Sequence, residues 1–174
     1  MPDRAAASLM DETTFQAFYR AHGPALWSYL RRTLGDAAQA DDVLQEAFCK
    51  LLGAPVGGLD EAEQRAYLFR IATNLSIDHW RRKKRERVAL EQMDPEPVRL
   101  DEPPRARDLD LARTFATLKP RERSLLWLAY VEGAAHEEIA RSLDLKPRSI
   151  RVLLFRARRR LAGMLRSKGL GAEV

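Results

Sequence analysis

Residues 70–87 read RIATNLSIDHWRRKKRER, an apolar stretch that runs into six Lys or Arg within residues 80–87. The chemistry on offer is nucleic-acid binding. Asn74 can both donate and accept hydrogen bonds at a base edge. Trp80 can stack on an unpaired base or fill a core, and Arg81, Arg82 and Lys83 open a run to Arg87 that can track phosphates. The plain alternative is a solvated basic face. Asp78 precedes Arg81 and Arg82 by three and four residues, the favourable order for intrahelical ion pairs, and is expected to be spent that way.

A second cluster lies in residues 120–161, PRERSLLWLAYVEGAAHEEIARSLDLKPRSIRVLLFRARRRL. Pro120 suits a helix start, and Gly133 an end. A short helix over His136–Leu143 turns inward Ile139, Ala140 and Leu143. Asp144-Leu145-Lys146 has the length of a helix-turn-helix turn, and Pro147 opens a last helix with an apolar stripe of Ile150, Leu154, Ala157 and Leu161. Opposite the stripe stand Arg148, Ser149, Arg151, Val152, Phe155 and Arg156, followed by Arg158, Arg159 and Arg160. A recognition helix needs this division, because apolar residues fix its angle while Arg and short polar side chains near its N-terminus reach base edges. A helical hairpin with a wet basic face is the alternative.

The third cluster is acidic. In residues 36–52, DAAQADDVLQEAFCKLL, the positions Ala40, Val43, Leu44, Ala47 and Leu51 fall on one side, and Asp41, Asp42, Gln45 and Glu46 on the other. Such a face can meet a basic protein surface, hold a metal or face water. His22, His79 and His136 are scattered without ligand spacing, and neither a glycine-rich phosphate loop nor a nucleophile–base motif is visible. On spacing alone these residues give no converging metal-ligand set and no catalytic motif, and the acidic face stays open among those three uses. The single cysteine, Cys49, forbids an internal disulfide and reads as a small half-buried apolar residue rather than a redox sensor.

The elements that must position these clusters read as helices throughout, with no convincing alternating strand. The 174 residues are 45% apolar with a net charge of +5, which favours an acidic partner. No apolar run is long enough to span a membrane, and MPDRAAASLM has no signal-peptide core, so a cytoplasmic protein without membrane insertion is expected. The spacing predicts a first helical segment over 12–34 broken at Gly23-Pro24. A second helix opens with a capping box at Asp36–Gln39 and ends at Gly53, and a third covers about 65–87. Leu68, Ile71, Ala72 and Leu75 are its packing stripe. EQMDPEPVRLDEPP is acidic and proline-bearing, the composition of a tether. The expected fold is all-α: a tail over 1–10, a helical domain over 11–88, a flexible acidic linker over 89–107, a helix-turn-helix domain over 108–166 and a tail over 167–174.

With these residues in view, the sequence resembles a bacterial extracytoplasmic-function (ECF) sigma factor of the sigma-70 family. ADDVLQEAFCKLL (40–52), AYLFRIATNLSIDHWRRKKR (66–85) and LKPRERSLLWLAYVEGAAHEEIA with IRVLLFRARRRL (118–140, 150–161) carry the likeness, and FYRAHGPALWSYLRRTLGD (18–36) agrees with it. The resemblance implies a sigma-two helical bundle and a sigma-four helix-turn-helix, in a protein that catalyses no chemistry itself and carries no catalytic residue, metal or cofactor. It implies binding to core RNA polymerase, with Asp42, Gln45 and Glu46 on the clamp helices of the largest subunit and a further contact with the flap region of the second-largest. Asn74, Trp80, Arg81, Arg82 and Lys83 would capture the opened -10 element. Arg148, Ser149, Arg151, Val152, Phe155 and Arg156 would read the -35 element of promoter DNA. The acidic linker would thread toward the polymerase's active-site and RNA-exit channels, and an anti-sigma factor is an implied partner.

The chain departs from the family pattern at several positions. Thr73 stands where a basic residue is common, Lys146 replaces a frequent capping Ser, Val152-Leu153 replaces a common Ser-Arg pair, and Asp144 stands where Gly is common. Two rivals remain open on the residues alone. One is a DNA-binding regulator whose helix-turn-helix acts without polymerase. The other is a metal-dependent nuclease using Asp41, Asp42 and Glu46.

Overall fold

A computed structural model describes residues 8–89 and 106–169. Most of the expected tether, residues 90–105, lies outside the described residues. The described residues form seven helices: α1 (Glu12–Leu34), α2 (Ala37–Leu52), α3 (Glu61–Ala89), α4 (Ala106–Thr117), α5 (Pro120–Tyr130), α6 (His136–Leu143) and α7 (Pro147–Ser167).

Local chemistry sets most of these bounds. Asp11 caps α1 by accepting the Thr14 N–H at 3.0 Å, and Gly35, at φ 77°, closes the helix in the left-handed region. Asp36 caps α2 through the Gln39 N–H at 3.0 Å. The reciprocal half of the expected capping box is missing, since the buried Gln39 Oε1 has no partner.

The helices differ from the sequence reading at three places, the first being α5, which stops at Tyr130 and leaves Gly133, at φ 62°, in the turn beyond it. α1 runs unbroken through Gly23-Pro24, with Gly23 buried and the proline's one missing backbone donor at an exposed position. α3 begins at Glu61, four residues earlier than expected. There Asp60 accepts the Glu63 N–H at 2.7 Å and Glu63 returns the favour to the Asp60 N–H at 3.1 Å, a complete capping box inside what reads as a connection.

Helices α1–α3 enclose Phe18, Leu26, Leu30, Val43, Phe48, Leu51, Leu68 and Phe69. Phe48 and Phe69 join the anticipated stripes, while Leu44, Ile71 and Leu75 are only partly buried. Residues 8–10 lie against the α2–α3 connection, with Met10 buried and the Gly57 N–H donating to the Ser8 carbonyl at 2.7 Å. A Cβ on Gly57 would stand 2.6 Å from the Leu9 carbonyl, so this approach requires glycine.

Helices α4–α7 enclose Leu118, Leu125, Leu128, Ile139, Leu143, Ile150 and Leu154. In the α6–α7 turn, Asp144 adopts φ 52°, ψ 53°. Its short polar side chain tolerates the left-handed region. Asp144→Val is expected to cost about 1–2 kcal/mol in thermal melts, whereas Asp144→Gly stays near native stability.

The two bundles are not separate beads. Their buried apolar residues form one continuous core, α3 packs on α5 and α6, and α1 packs on α4 and α5. A directed hydroxyl chain crosses the junction. Ser124 donates to the Pro120 carbonyl at 2.9 Å, so it accepts from the Tyr29 hydroxyl, which in turn accepts from Thr73 at 2.8 Å. Burial raises the Tyr29 phenol above its ordinary value and keeps it a donor. Beside it, Arg65 of α3 donates to Glu132 at 2.8 Å and to Glu138, and its guanidinium lies 5.4 Å from the Phe69 ring centroid. Arg123 is buried at the same junction with its Nε unpaired, and burial lowers its pKa to about 10.

Candidate nucleic-acid and protein-binding surfaces

On α2, burial of Ala40, Val43, Ala47 and Leu51 turns Asp42, Gln45 and Glu46 outward, and all three are exposed. Glu46 is tied only to Lys50 one turn on, at 3.5 Å. Such an exposed pair contributes little to stability and is readily exchanged for another cation. Asp41 has a different task, accepting the Trp27 indole N–H at 2.7 Å to pin α2 to α1. That bond gives one proposed nuclease carboxylate a structural role.

A cleft separates the acidic face of α2 from the basic end of α3, with Asp42 and Glu46 on one wall and Arg82 and Arg85 on the other. His79 sits between them. Burial lowers its pKa, and Lys83 and Arg82 lower it further, so the ring stays neutral at neutral pH. Its Nδ1 accepts from Arg82 at 3.1 Å, which leaves the proton on Nε2 and holds Arg82 in place.

Beyond Trp80, every residue of α3 to Ala89 is exposed. The helix therefore projects a basic rod from a packed base. Asn74 is exposed and shares a helical face with Asp78 and Arg81. Asp78 pairs with Arg81 at 3.5 Å as the spacing implies, while Arg82 turns to Glu86 at 4.0 Å. Trp80 does not fill the core: it is 37% exposed, with Lys84 Nζ 5.3 Å from its ring centroid. A partly exposed ring amid solvent-exposed cations suits base stacking next to phosphates. Thr73, by contrast, is buried and bonded to Tyr29, so its departure from a basic residue serves packing rather than DNA contact.

On α7, Ile150, Leu154 and Ala157 are buried against α5 and α6, and Leu161 is partly buried. Arg148, Arg151, Val152, Phe155 and Arg156 are exposed, and Ser149 is half-buried. Two of the later arginines are braced: Arg158 donates to the Tyr130 hydroxyl at 3.1 Å and Arg160 to Glu122 at 3.3 Å. Among the described residues, Arg148, Arg151, Arg156 and Arg159 are exposed and carry no such brace.

The sequence reading missed an apolar groove between α4, α5 and α7, lined by Leu111, Phe115, Trp127, Tyr130, Val131 and Leu161 and edged by Arg32 and Arg158. Leu111, Tyr130 and Val131 are 46%, 58% and 60% exposed, an unusual concentration of large apolar surface. The only signal for it was the surplus of apolar residues in WLAYV beyond what one helical stripe needs. Cys49 is exposed rather than half-buried. Among the described residues no helix is long and apolar enough to cross a membrane.

Comparison with known proteins agrees with this division. Residues 18–86 match the family model for Sigma-70 region 2, and residues 108–161 match that for Sigma-70, region 4. The ECF RNA polymerase sigma factor SigL of Mycobacterium tuberculosis is 33% identical over 94% of this chain and 96% of its own length. The RNA polymerase sigma-E factor of Streptomyces avermitilis is 31% identical, covering 92% of this chain and 89% of its own. Among solved structures, the sigma factor RpoE in complex with the anti-sigma factor NepR from Bartonella quintana shares the fold at a TM-score of 0.71 and 23% identity, over 87% of this chain and 96% of that one. CnrH in complex with the cytosolic domain of CnrY gives a TM-score of 0.65 and 25% identity, over 90% of each chain. Two adjoining helical bundles, both matched in order by sigma-70 models, place this chain in the family of ECF RNA polymerase sigma factors.

Proposed function

We propose that the protein docks on the clamp helices of core RNA polymerase through Asp42, Gln45 and Glu46 and directs it to promoters. Asn74, Trp80, Arg81, Arg82 and Lys83 hold the opened -10 strand. Arg148, Ser149, Arg151, Val152, Phe155 and Arg156 read the -35 duplex. It contributes no bond-breaking chemistry of its own; the polymerase supplies that. The observation that carries the reading is the segregation of charge: one acidic exposed face on α2 and two basic exposed faces, on α3 and α7, all outside the shared core. An acidic face suits a basic protein helix, and a basic rod with an open tryptophan suits an unpaired strand. Flipping a base out of the stack costs a few kcal/mol, which phosphate anchors such as Arg81 and Arg82 offset. The apolar groove of α4, α5 and α7 suits a protein partner, either the flap region of the polymerase or an anti-sigma factor of the kind bound to RpoE of Bartonella quintana.

The reading has a geometric consequence. Elements centred near -10 and -35 are about 25 base pairs apart, or about 85 Å of B-DNA at 3.4 Å per pair. A compact chain of this length is about 40 Å across. Engagement of both elements therefore requires the junction at Tyr29, Arg65 and Ser124 to part. The packed arrangement is then the free form, and the polymerase-bound form is extended.

Arg156→Ala separates duplex reading from polymerase binding. It is expected to weaken binding of the -35 duplex by about tenfold, as loss of a good bidentate base contact does, with polymerase binding unchanged. Gel-shift titration and a pull-down on core polymerase check this. Equal loss of both properties would contradict the division of labour. A stand-alone regulator would footprint the same DNA without polymerase.

A further inference from the structure

We propose that Val152, with Phe155 beside it, makes this protein select thymine in its upstream element by contact with the base's C5-methyl group. The inference rests on α7 being the duplex-reading helix and names the specificity of that same surface. Val152 is 50% exposed and Phe155 55% exposed. At positions i and i+3 they lie side by side on one helical face. Arg148, Arg151 and Arg156, all exposed, surround them, so the face is a small apolar island ringed by cations. The opposite side of the helix already supplies the packing, through Ile150, Leu154 and Ala157. The island therefore contributes nothing to the core of its own domain.

The chemistry of the major groove narrows what such an island can read. Each base presents hydrogen-bonding groups there, and thymine alone adds a methyl group. The valine side chain has neither donor nor acceptor. Pressed against a purine or cytosine edge, it strips water from a polar group and returns no bond. Against thymine it buries one methyl group with another. Val152 thus selects twice, by favouring the methyl and by penalising the polar edges. A serine at this position would do neither, because its hydroxyl can bond to any of these edges. The flanking arginines hold the phosphates and neighbouring guanines, which fixes the register at which the island meets the base.

The test uses the full chain assembled with core polymerase. Duplexes randomised over the upstream element are selected by the native holoenzyme and by one carrying Val152→Ser. Each thymine of the native consensus is then replaced singly by deoxyuridine, which pairs identically but lacks the methyl group. The expected result is a thymine, on either strand, whose replacement weakens native binding about three- to fivefold, the effect of one buried methyl group. Val152→Ser should bind both forms alike and should no longer enrich thymine at that position. Val152 is exposed, so the variant keeps its fold, and an unchanged melting temperature verifies this. A native consensus without thymine there, or an equal deoxyuridine effect in both proteins, overturns the proposal. Indifference of the native protein to deoxyuridine also overturns it, and would mark the island as a protein-docking patch. If native holoenzyme enriches no upstream sequence at all, the reading of α7 fails first and this inference falls with it.

Discussion

Charge reversal on α2, Asp42→Lys with Glu46→Lys, is expected to lower affinity for core RNA polymerase by at least about thirtyfold, since placing like charges across an interface costs several kcal/mol. The effect should be confined to binding. Both side chains are exposed, and the one ion pair lost, Glu46 with Lys50 at 3.5 Å, is a surface i,i+4 pair worth little. The helix keeps its cap at Asp36 and its anchor from Asp41 to Trp27. Circular dichroism and melting temperature should therefore match the native protein, and the C-terminal helix should bind duplex DNA as before. Calorimetric titration against core polymerase reads the loss, and its weakening at higher salt should be smaller for the variant than for the native chain. Binding retained at native affinity would remove the acidic face from the account.

The second large effect concerns the junction between the bundles. Arg65→Ala leaves Glu132 and Glu138 facing each other in a site where their side chains are only 11% and 18% exposed. Glu132 keeps the Trp127 indole N–H at 2.9 Å, but Glu138 loses its cation. Breaking a largely buried pair in this way costs about 2–4 kcal/mol. The hydroxyl chain through Tyr29 and buried Arg123 remain, and the Arg123 Nε, which has no partner, gains by reaching water when the bundles part. The expected outcome is a protein whose bundles separate while each stays helical. Fluorophores on α2 and on the C-terminal end of α7 should move apart, and heat should melt the chain in two steps instead of one. Adding Glu132→Gln and Glu138→Gln to Arg65→Ala should restore part of the compaction by removing the repulsion. An unchanged inter-label distance in Arg65→Ala would show that the apolar contacts alone hold the junction.

What the sequence made legible was local. Asp36, Pro120, Gly35 and Pro147 punctuate helices because capping and proline chemistry act within four residues, and the helix bounds they imply are those observed at α2, α5 and α7. Asp144 in the left-handed turn belongs to the same class. Local signals also misled where two of them competed. Gly23-Pro24 reads as a break, but α1 runs through it with Gly23 buried and Pro24 exposed. Asp60 to Glu63 is a capping box disguised by the glycines before it. The outward faces of α2 and α7 followed from periodicity, and Trp80 lies outside the core.

The junction was not legible at all. Arg65 meets residues 67 and 73 positions away, and Tyr29 meets Ser124 across 95. No spacing rule connects such partners, and one Arg or Tyr among many carries no mark of its role. An acidic, proline-bearing tether pointed to independent modules, yet the two bundles share a core. Under the proposed function, that contact has to part before both promoter elements can be engaged.

Run-off transcription with purified core RNA polymerase, freed of every other sigma factor, on fragments of the source genome is the most direct measurement. The account expects discrete transcripts that begin at defined positions and appear only when this protein is added. They should fade when Asp42 and Glu46 are reversed and when Arg156 is truncated. Failure of the native protein to yield any defined start, or the same starts in its absence, would contradict the account.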